Sequence, residues 1–235
     1  MELTKEFDNI GNDDASEILV QMKADIEDFR EKLWLIELLA TEALMKRPIY
    51  FKEISEVCGL DVKLEPNDEL TLDSVLKLKL DNFREQIEEI SKKADKQYSL
   101  EKKLNGIVDE LRKLEIDTKP YPKAKTYILQ NLDDSQQILD DNLNALLMMK
   151  SSPYIRPIIG KANLVESKIV LIQDTLENWI KTQRGWMYLE PIFSSEDIQQ
   201  KMAAEKAKFD TVDKHWKVTL EQFTKEKNMW ENIEG

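Results

Sequence analysis

The sequence is poor in the residues that build most metal sites and disulfides. Its 235 residues include one cysteine, Cys58, and one histidine, His215. A single cysteine can form no disulfide within the chain and no multi-cysteine zinc site. A single histidine excludes the HExxH zinc motif and the paired Glu-x-x-His sites of di-iron bundles. We therefore expect no metal site of these classes, and we expect Cys58 to be a small residue of the core.

Glycine, proline and long apolar runs are also scarce. The six glycines and seven prolines lie well below the roughly 12% share that these residues take in average proteins. No apolar run approaches the ~18 residues that a membrane-spanning helix needs. The opening residues MELTKEFDNI do not resemble a signal peptide. The composition predicts an intracellular chain of long helices with few loops and no membrane segment.

Negative charge dominates, because 46 acidic residues outnumber 34 basic ones and leave a formal net charge of −12. Nucleic acids, anionic lipid surfaces and acidic filaments would repel such a chain. We therefore expect no nucleic-acid partner and no membrane partner.

Nucleotide-binding loops are missing from the sequence. The pair Gly160-Lys161 is followed by Ala162 where a P-loop needs Ser or Thr, and Ile155 stands where its first glycine should be. The dinucleotide motif GxGxxG is absent, and the acidic pairs lack the glycine of a calcium loop. No catalytic residue can be assigned. We expect this chain to be no enzyme and to hold no cofactor of its own.

Helical periodicity is what the sequence does contain. It predicts a mainly α fold, an elongated helical bundle or rod of long antiparallel helices. Residues 115–130, around Pro120 and Pro122, are predicted to form either one small β-hairpin or an irregular excursion. A helical region from about Leu72 to Leu114 has a seven-residue apolar repeat, which two polar residues, Gln97 and Glu101, interrupt. We expect a kink or a break there.

Aromatic residues recur at the same seven-residue interval later in the chain. One row contains Trp179 and Trp186 in a helix that runs from about Asn163 to Tyr188 and is ended by Pro191. A second row follows in a last helix over residues 203–233; its members are Phe209, Trp216, Phe223 and Trp230. We expect both rows to pack between long helices, which would make a stiff, acidic and non-catalytic module.

The stretch from Trp179 to Lys217 resembles the linker region of dynein heavy chains. That family has a run of the form W-x-x-x-Q-x-x-W-x-Y-L-E-x-I-F, followed by an acidic-Ile pair, a Phe and a Trp-Lys. The matching residues here are Trp179, Gln183, Trp186, Tyr188, Leu189, Glu190, Ile192, Phe193, Asp197, Ile198, Phe209, Trp216 and Lys217. Weaker similarity reaches back to about residue 30. The amino-acid sequence of residues 190–198 is more similar to axonemal than to cytoplasmic dyneins.

The sequence also departs from the family pattern at two places. Lys201-Met202-Ala203 stands where the family usually has Gln-Leu-Pro or a similar Met-Pro, and Tyr50-Phe51 stands where His-Trp is common. These departures affect the fine alignment and leave the resemblance intact.

The resemblance implies a mechanical element. In dyneins the linker arches over a ring of AAA+ ATPase modules and changes its bend and docking with nucleotide state, which transmits the power stroke. Residues 1–150 would be amino-terminal linker helices, and residues 151–235 would be central linker helices. The implied partners are the ring of the same heavy chain and, through the tail, other dynein subunits. ATP and Mg would be bound by that ring, which lies outside this chain, as does the microtubule-binding part.

The resemblance further implies a cytoskeletal location, in a ciliary or flagellar axoneme, and a fragment that is monomeric in isolation. Residues with a structural or interaction role would be Trp179, Gln183, Trp186, Tyr188, Phe193, Asp197, Phe209 and Trp216, with Trp186, Tyr188 and Phe193 as anchors. Candidate bend points are Gln97, Glu101 and Pro191. The alternative is a static helical scaffold of the dynein tail that binds accessory chains or dimerises. Exposed heptad seams would favour the scaffold, and buried stripes would favour the lever.

Overall fold

A computed structural model describes residues 12–60 and 77–232 of the chain. These residues form α-helices, short 3-10 turns and one two-stranded antiparallel sheet. The prediction of a mainly α fold with one small hairpin is confirmed. The chain divides into two compact units, with the boundary between Tyr98 and Ser99.

Within residues 12–60 and 77–98, the first unit contains three helices and the beginning of a fourth. The helices are α1 (Asn12–Leu39), α2 (Glu42–Met45), α3 (Pro48–Val57) and, after a 3-10 turn at Leu80–Phe83, α4 (Arg84–Leu111). Pro48 opens α3, where its missing N–H has no partner to lose. Gly59 follows α3 with a φ of 64°, a left-handed conformation that glycine adopts without strain. The predicted helix start near Leu72 lies outside the described residues.

The core of the first unit contains the end of α1, residues of α2, the inner face of α3, the 3-10 turn and the first turns of α4. Its fully buried side chains include Leu35, Leu44, Phe51, Ile54, Leu80 and Ile87. Cys58 is also buried there, as predicted.

Gln97 lies within this core, where it is only 8% exposed. Its side-chain oxygen accepts hydrogen bonds from the Tyr50 hydroxyl and, at 3.4 Å, from Arg47 Nη1. Burial raises the pKa of Tyr50, so the phenol stays protonated and able to donate. A buried polar group with partners costs little, which explains how a glutamine can occupy an apolar position of the repeat.

Helix α4 runs without interruption from Arg84 to Leu111. The predicted helix break between Gln97 and Glu101 is therefore wrong, because the polar side chain finds partners and leaves the helix hydrogen bonds intact. Glu101, one turn later, is half-buried in the same continuous helix. A role of these two residues as bend points under load stays a prediction.

The second unit contains the rest of α4, the hairpin and all later helices. Strands β1 (Thr118–Tyr121) and β2 (Thr126–Leu129) pair with Thr118 opposite Leu129 and Tyr121 opposite Thr126. The helices that follow are α5 (Leu132–Lys150), α6 (Ile159–Phe193), α7 (Glu196–Lys201), α8 (Ala203–Phe223) and α9 (Met229–Asn232), with a 3-10 segment at Pro153–Ile158 before α6. The core of this unit has members on both sides of residue 150, among them Met149 and Ile155.

Two helix ends differ from the sequence-based prediction. Helix α6 ends at Phe193 and contains Pro191 in its last turn, where only one helical hydrogen bond is lost. The last helix ends at Phe223, well before Ile233, and α9 begins anew at Met229. The Asn228 side chain accepts hydrogen bonds from the backbone N–H groups of Trp230 and Glu231 at 2.9 and 3.2 Å. This N-cap starts α9 and accounts for its separation from α8.

Replacing Gln97 by Met should lower the free energy of unfolding by about 1–3 kcal/mol, because the buried Tyr50 hydroxyl loses its acceptor. The same change at Gln86, an exposed residue of α4, should shift it by less than about 0.5 kcal/mol. Urea denaturation of both variants measures the difference. Adding Tyr50→Phe to Gln97→Met should recover part of the loss, and equal effects at positions 86 and 97 would contradict this account.

Candidate functional site: an aromatic seam between two helices

Three pairs of aromatic side chains join α6 to α8 in the second unit. Trp179 meets Phe223 edge to face, with ring centroids 5.0 Å apart. Trp186 stacks on Trp216 with ring centroids 5.6 Å apart, and Phe193 stacks on Phe209 at 5.1 Å. We call these six residues the aromatic seam. Such pairs contribute about 0.5–1.5 kcal/mol each beyond the area they bury.

The register of the seam follows from the sequence intervals. Each step of seven residues forward along α6, from Trp179 to Trp186 to Phe193, matches a step of seven residues backward along α8. The two helices therefore run antiparallel, with rungs about 10.5 Å apart along the axis. A one-residue slip would separate all three pairs at once, so the seam fixes how the two helices align.

Trp186 is the central residue of the seam and is only 2% exposed. Its ring also meets Tyr121 of β1 edge to face, at a centroid distance of 5.6 Å. Its indole Nε1 donates a hydrogen bond to Asp213 Oδ1 at 3.0 Å, and Lys217 Nζ lies 2.8 Å from the other oxygen of that carboxylate. One side chain thus connects α6 to α8 and to the hairpin, with its polar atom satisfied.

Gln183 fastens the hairpin to α6 through its side-chain amide. Its Oε1 accepts a hydrogen bond from the backbone N–H of Leu129 at 2.6 Å, and its Nε2 donates to the carbonyl of the same residue at 3.0 Å. The amide therefore pairs with β2 as a neighbouring strand would. This satisfies one residue of an otherwise open strand edge and gives a physical role to the glutamine between Trp179 and Trp186.

The structure brings together most of the residues predicted from the sequence, but two lie elsewhere. Tyr188 lies outside the seam and is 71% exposed, so it is not part of the core that the described residues form. Asp197 is exposed in the first turn of α7. Contacts of these two residues with another part of a motor stay a prediction.

Three contributors were missing from the predicted set. Phe223 belongs to the second aromatic row, and the matching seven-residue intervals could have paired it with Trp179. Asp213 lies one turn before Trp216, a spacing that places both on one helix face. Tyr121 gave no usable signal, because its contact with Trp186 joins residues far apart in sequence.

The seam offers packing and little chemistry. Within residues 12–60 and 77–232, no group of three or more His, Cys, Asp or Glu is arranged to hold a metal ion. None of the helices in the described ranges is both long and apolar enough to cross a bilayer. The charged groups along α6 form surface pairs, such as Lys181 with Glu177 at 2.7 Å, whose hydrogen bond lowers the pKa of the Glu177 carboxyl.

Comparison with known proteins gives this arrangement a family. The family "Dynein heavy chain, N-terminal region 2" matches residues 1–235. The chain belongs to this dynein heavy chain family. It is 40% identical over 74% of its length to dynein axonemal heavy chain 12 of Rattus norvegicus, and 33% identical over 94% to dynein axonemal heavy chain 1 of Homo sapiens. Dynein axonemal heavy chain 3 of Homo sapiens is 35% identical over 87% of the chain.

The alignments cover only a small part of each relative. This dynein heavy chain region spans 6% of the rat heavy chain 12 and 5% of the human heavy chains 1 and 3. The resemblance to dynein heavy chains found in the sequence is confirmed, and so is its preference for the axonemal class, since all three are named as axonemal.

Trp186→Ala should lower the free energy of unfolding of the second unit by about 3–5 kcal/mol, as expected for loss of a fully buried tryptophan. Tyr188→Ala, two residues away on the same helix, should change it by less than about 0.5 kcal/mol because its side chain is exposed. Thermal or urea unfolding of the two variants makes the comparison. A large loss at Tyr188 would show that the seam is wrongly placed.

Gln183→Leu should speed hydrogen exchange at the Leu129 amide by about one order of magnitude, because that N–H loses its acceptor. Gln173→Leu is the matched control, since Gln173 also lies on α6 but bonds to the exposed side chain of Asp140, at 2.6 Å, and not to the hairpin. Exchange at Leu129 should be unchanged in the control. Equal protection in all three proteins would mean that Gln183 does not hold the hairpin.

Proposed function

We propose that this chain is part of the mechanical linker of an axonemal dynein motor. In this role it changes its bend and its docking on the AAA+ ring of the same heavy chain with nucleotide state, and it transmits the power stroke. It performs no chemistry itself, and ATP and Mg are bound by the ring. The match to an N-terminal region of dynein heavy chains supports this, as do relatives named as axonemal heavy chains, which favour a place in the axonemal cytoskeleton.

The aromatic seam is the observation that carries the proposal. A lever must pass force along its length without yielding between its own helices. Three aromatic rungs, a central tryptophan bonded to Asp213 and a hairpin held by Gln183 resist sliding of α6 against α8. The aromatic rows of α6 and α8 pack against each other inside the second unit, as expected for an element that works as a monomer.

Exposed apolar side chains near the end of α6 supply a candidate contact for the ring. Tyr188 is 71% exposed, and Ile192, one turn later, is 36% exposed. They lie on the same helix as the seam, so a force applied to them passes directly into its rungs.

The bend points remain part of this proposal. Pro191 removes one hydrogen bond from the last turn of α6, which makes that turn the least reinforced part of the helix. Gln97 and Glu101 occupy polar positions of the repeat in α4. Pro191→Ala in an intact motor should stiffen the end of α6 and reduce linker mobility and stroke size. Unchanged values would remove Pro191 from this role.

The proposal predicts that a weakened seam uncouples ATP hydrolysis from movement. In an intact axonemal heavy chain, Trp186→Phe should preserve ring ATPase activity and slow microtubule gliding, since it removes the hydrogen bond to Asp213 and part of the stack. Leu171→Ala, which truncates a 50% exposed residue of the same helix, is the control and should glide normally. Normal gliding by the Trp186 variant, once shown to be less stable, would count against a lever.

One observation favours the alternative, a static scaffold that binds accessory chains or dimerises. It concerns α1 in the first unit, which carries a row of exposed apolar residues. Surplus apolar surface of this kind indicates a partner. The two roles belong to different helices and are compatible within one chain.

A further inference from the structure

A cavity lies between α4 and α5 in the second unit. Its lining residues all follow Ser99, in the part of the chain whose backbone is described without a break as far as Asn232. Its volume of about 690 Å³ lies in the range of small-molecule sites. We call this space the α4–α5 cavity. Its apolar wall consists of Leu100, Ile107, Ile138, Ala145, Met148 and Met149.

Asn142, on α5, is a polar residue of the cavity wall and is only 5% exposed. Its Nδ2 donates to the backbone carbonyl of Ile138 at 2.8 Å and to Glu110 Oε2 at 3.2 Å. A carbonyl and a carboxylate only accept, so the amide nitrogen lies on that side and Oδ1 on the other. No group in the described ranges donates to Oδ1. Unlike the enclosed Trp216 Nε1, Oδ1 is not sealed from the surface, so a donor in the cavity can reach it.

Two carboxylates line the same end of the α4–α5 cavity. Glu110 Oε2 is bonded to Asn142, and Asp141 Oδ1 accepts a hydrogen bond from the Gln137 amide at 2.8 Å. The second oxygen of each carboxylate has no donor among the residues that the structure describes. Three acceptor oxygens at this end, one amide and two carboxylate, therefore lack a donor in that part of the chain. A ligand that satisfies them must carry several N–H donors and, beside two carboxylates, a positive charge.

A guanidinium on an aliphatic chain matches this set of acceptors. It carries five N–H donors in one plane and no acceptor, whereas an ammonium is a compact point charge. Its aliphatic stem can lie along the apolar wall, and the net charge of −12 attracts a cation. A metal ion fits less well, because residues 12–60 and 77–232 contain no group of three acidic, His or Cys side chains arranged to hold one.

Lys103 limits the site to one positive charge. It lines the cavity from α4, seven residues before Glu110 and hence about 10.5 Å away along the helix axis. A run of basic residues would place a second cation near Lys103, whereas a single guanidinium at Asn142 would not.

We propose that the α4–α5 cavity binds one guanidinium group on an aliphatic chain. The guanidinium donates to Asn142 Oδ1 and to the carboxylates of Glu110 and Asp141, and the stem packs on the apolar wall. An arginine side chain of a polypeptide and a free alkylguanidine share this chemistry. The site lies outside the aromatic seam and requires neither ring nor nucleotide, so it goes beyond the proposed lever.

The test uses the whole chain and a short labelled peptide of apolar residues around one central arginine. A second peptide has citrulline at that place, which keeps the shape of arginine but carries no charge. Fluorescence anisotropy should show the arginine peptide binding at least about tenfold more tightly than the citrulline peptide. Equal binding of the two peptides would overturn the proposal.

Competition with n-butylguanidinium identifies the source of the guanidinium. Displacement of the arginine peptide by an equal concentration indicates a site for a free small molecule. Displacement that needs a much higher concentration indicates a site for an arginine of a polypeptide. Calorimetry that detects binding of neither the arginine peptide nor n-butylguanidinium would overturn the proposal.

Two variants with the same change of charge separate the site from the general field of the chain. Glu110→Gln should weaken binding of the arginine peptide by about tenfold or more. Asp109→Asn, at the exposed neighbouring position outside the cavity, is the matched control and should change binding by less than about twofold. Equal losses in the two variants would mean that net charge alone attracts the peptide. NMR gives a second measurement, since the side-chain amide signals of Asn142 should shift with the arginine peptide and not with the citrulline peptide. A failed lever would alter none of these results.

Discussion

The stack of Trp186 on Trp216 sets the alignment on which the second unit depends. Because both tryptophans belong to rows with seven-residue intervals, fixing one pair fixes the pairs on either side. The Trp186 indole also contacts Tyr121 and donates a hydrogen bond to Asp213, so one side chain holds both the hairpin and α8. Packing that shares one side chain in this way couples its contacts, so that they are lost together.

The sequence was informative wherever the determining contacts are local or periodic. Long helices, both aromatic rows and the hairpin around Pro120 could be predicted, because each depends on spacing within one segment. The split of the last helix at Asn228 was missed, since an uninterrupted periodic pattern hides a cap that competes with helix continuation. The hairpin's attachment was missed for another reason: Gln183 reads as an ordinary polar helix residue until β2 is placed beside it.

Gln97 shows why a polar residue in an apolar repeat is ambiguous. Pattern alone offers two outcomes, a broken helix or a satisfied side chain, and the choice depends on a partner elsewhere in the chain. Here the partner is Tyr50 on α3, whose hydroxyl donates to the glutamine and leaves α4 continuous. A buried polar pair also penalises shifted packings more than an apolar pair would. The glutamine thus favours one register of α3 on α4.

The apolar heptad stripes of α1 and α6 differ in what covers them, and the difference follows from their neighbours in sequence. The stripe of α6 is followed, after the short α7, by a helix that carries the complementary row, so the chain buries it against itself. The stripe of α1 is followed by two shorter helices that share a core with Leu35 and Leu39, and no residue from 18 to 33 is buried. A periodic stripe therefore identifies a helix–helix contact in either case, and only the rest of the chain decides whether the contact is internal. The buried stripe is the one on which the proposed lever depends, and the exposed one is the observation behind the scaffold alternative.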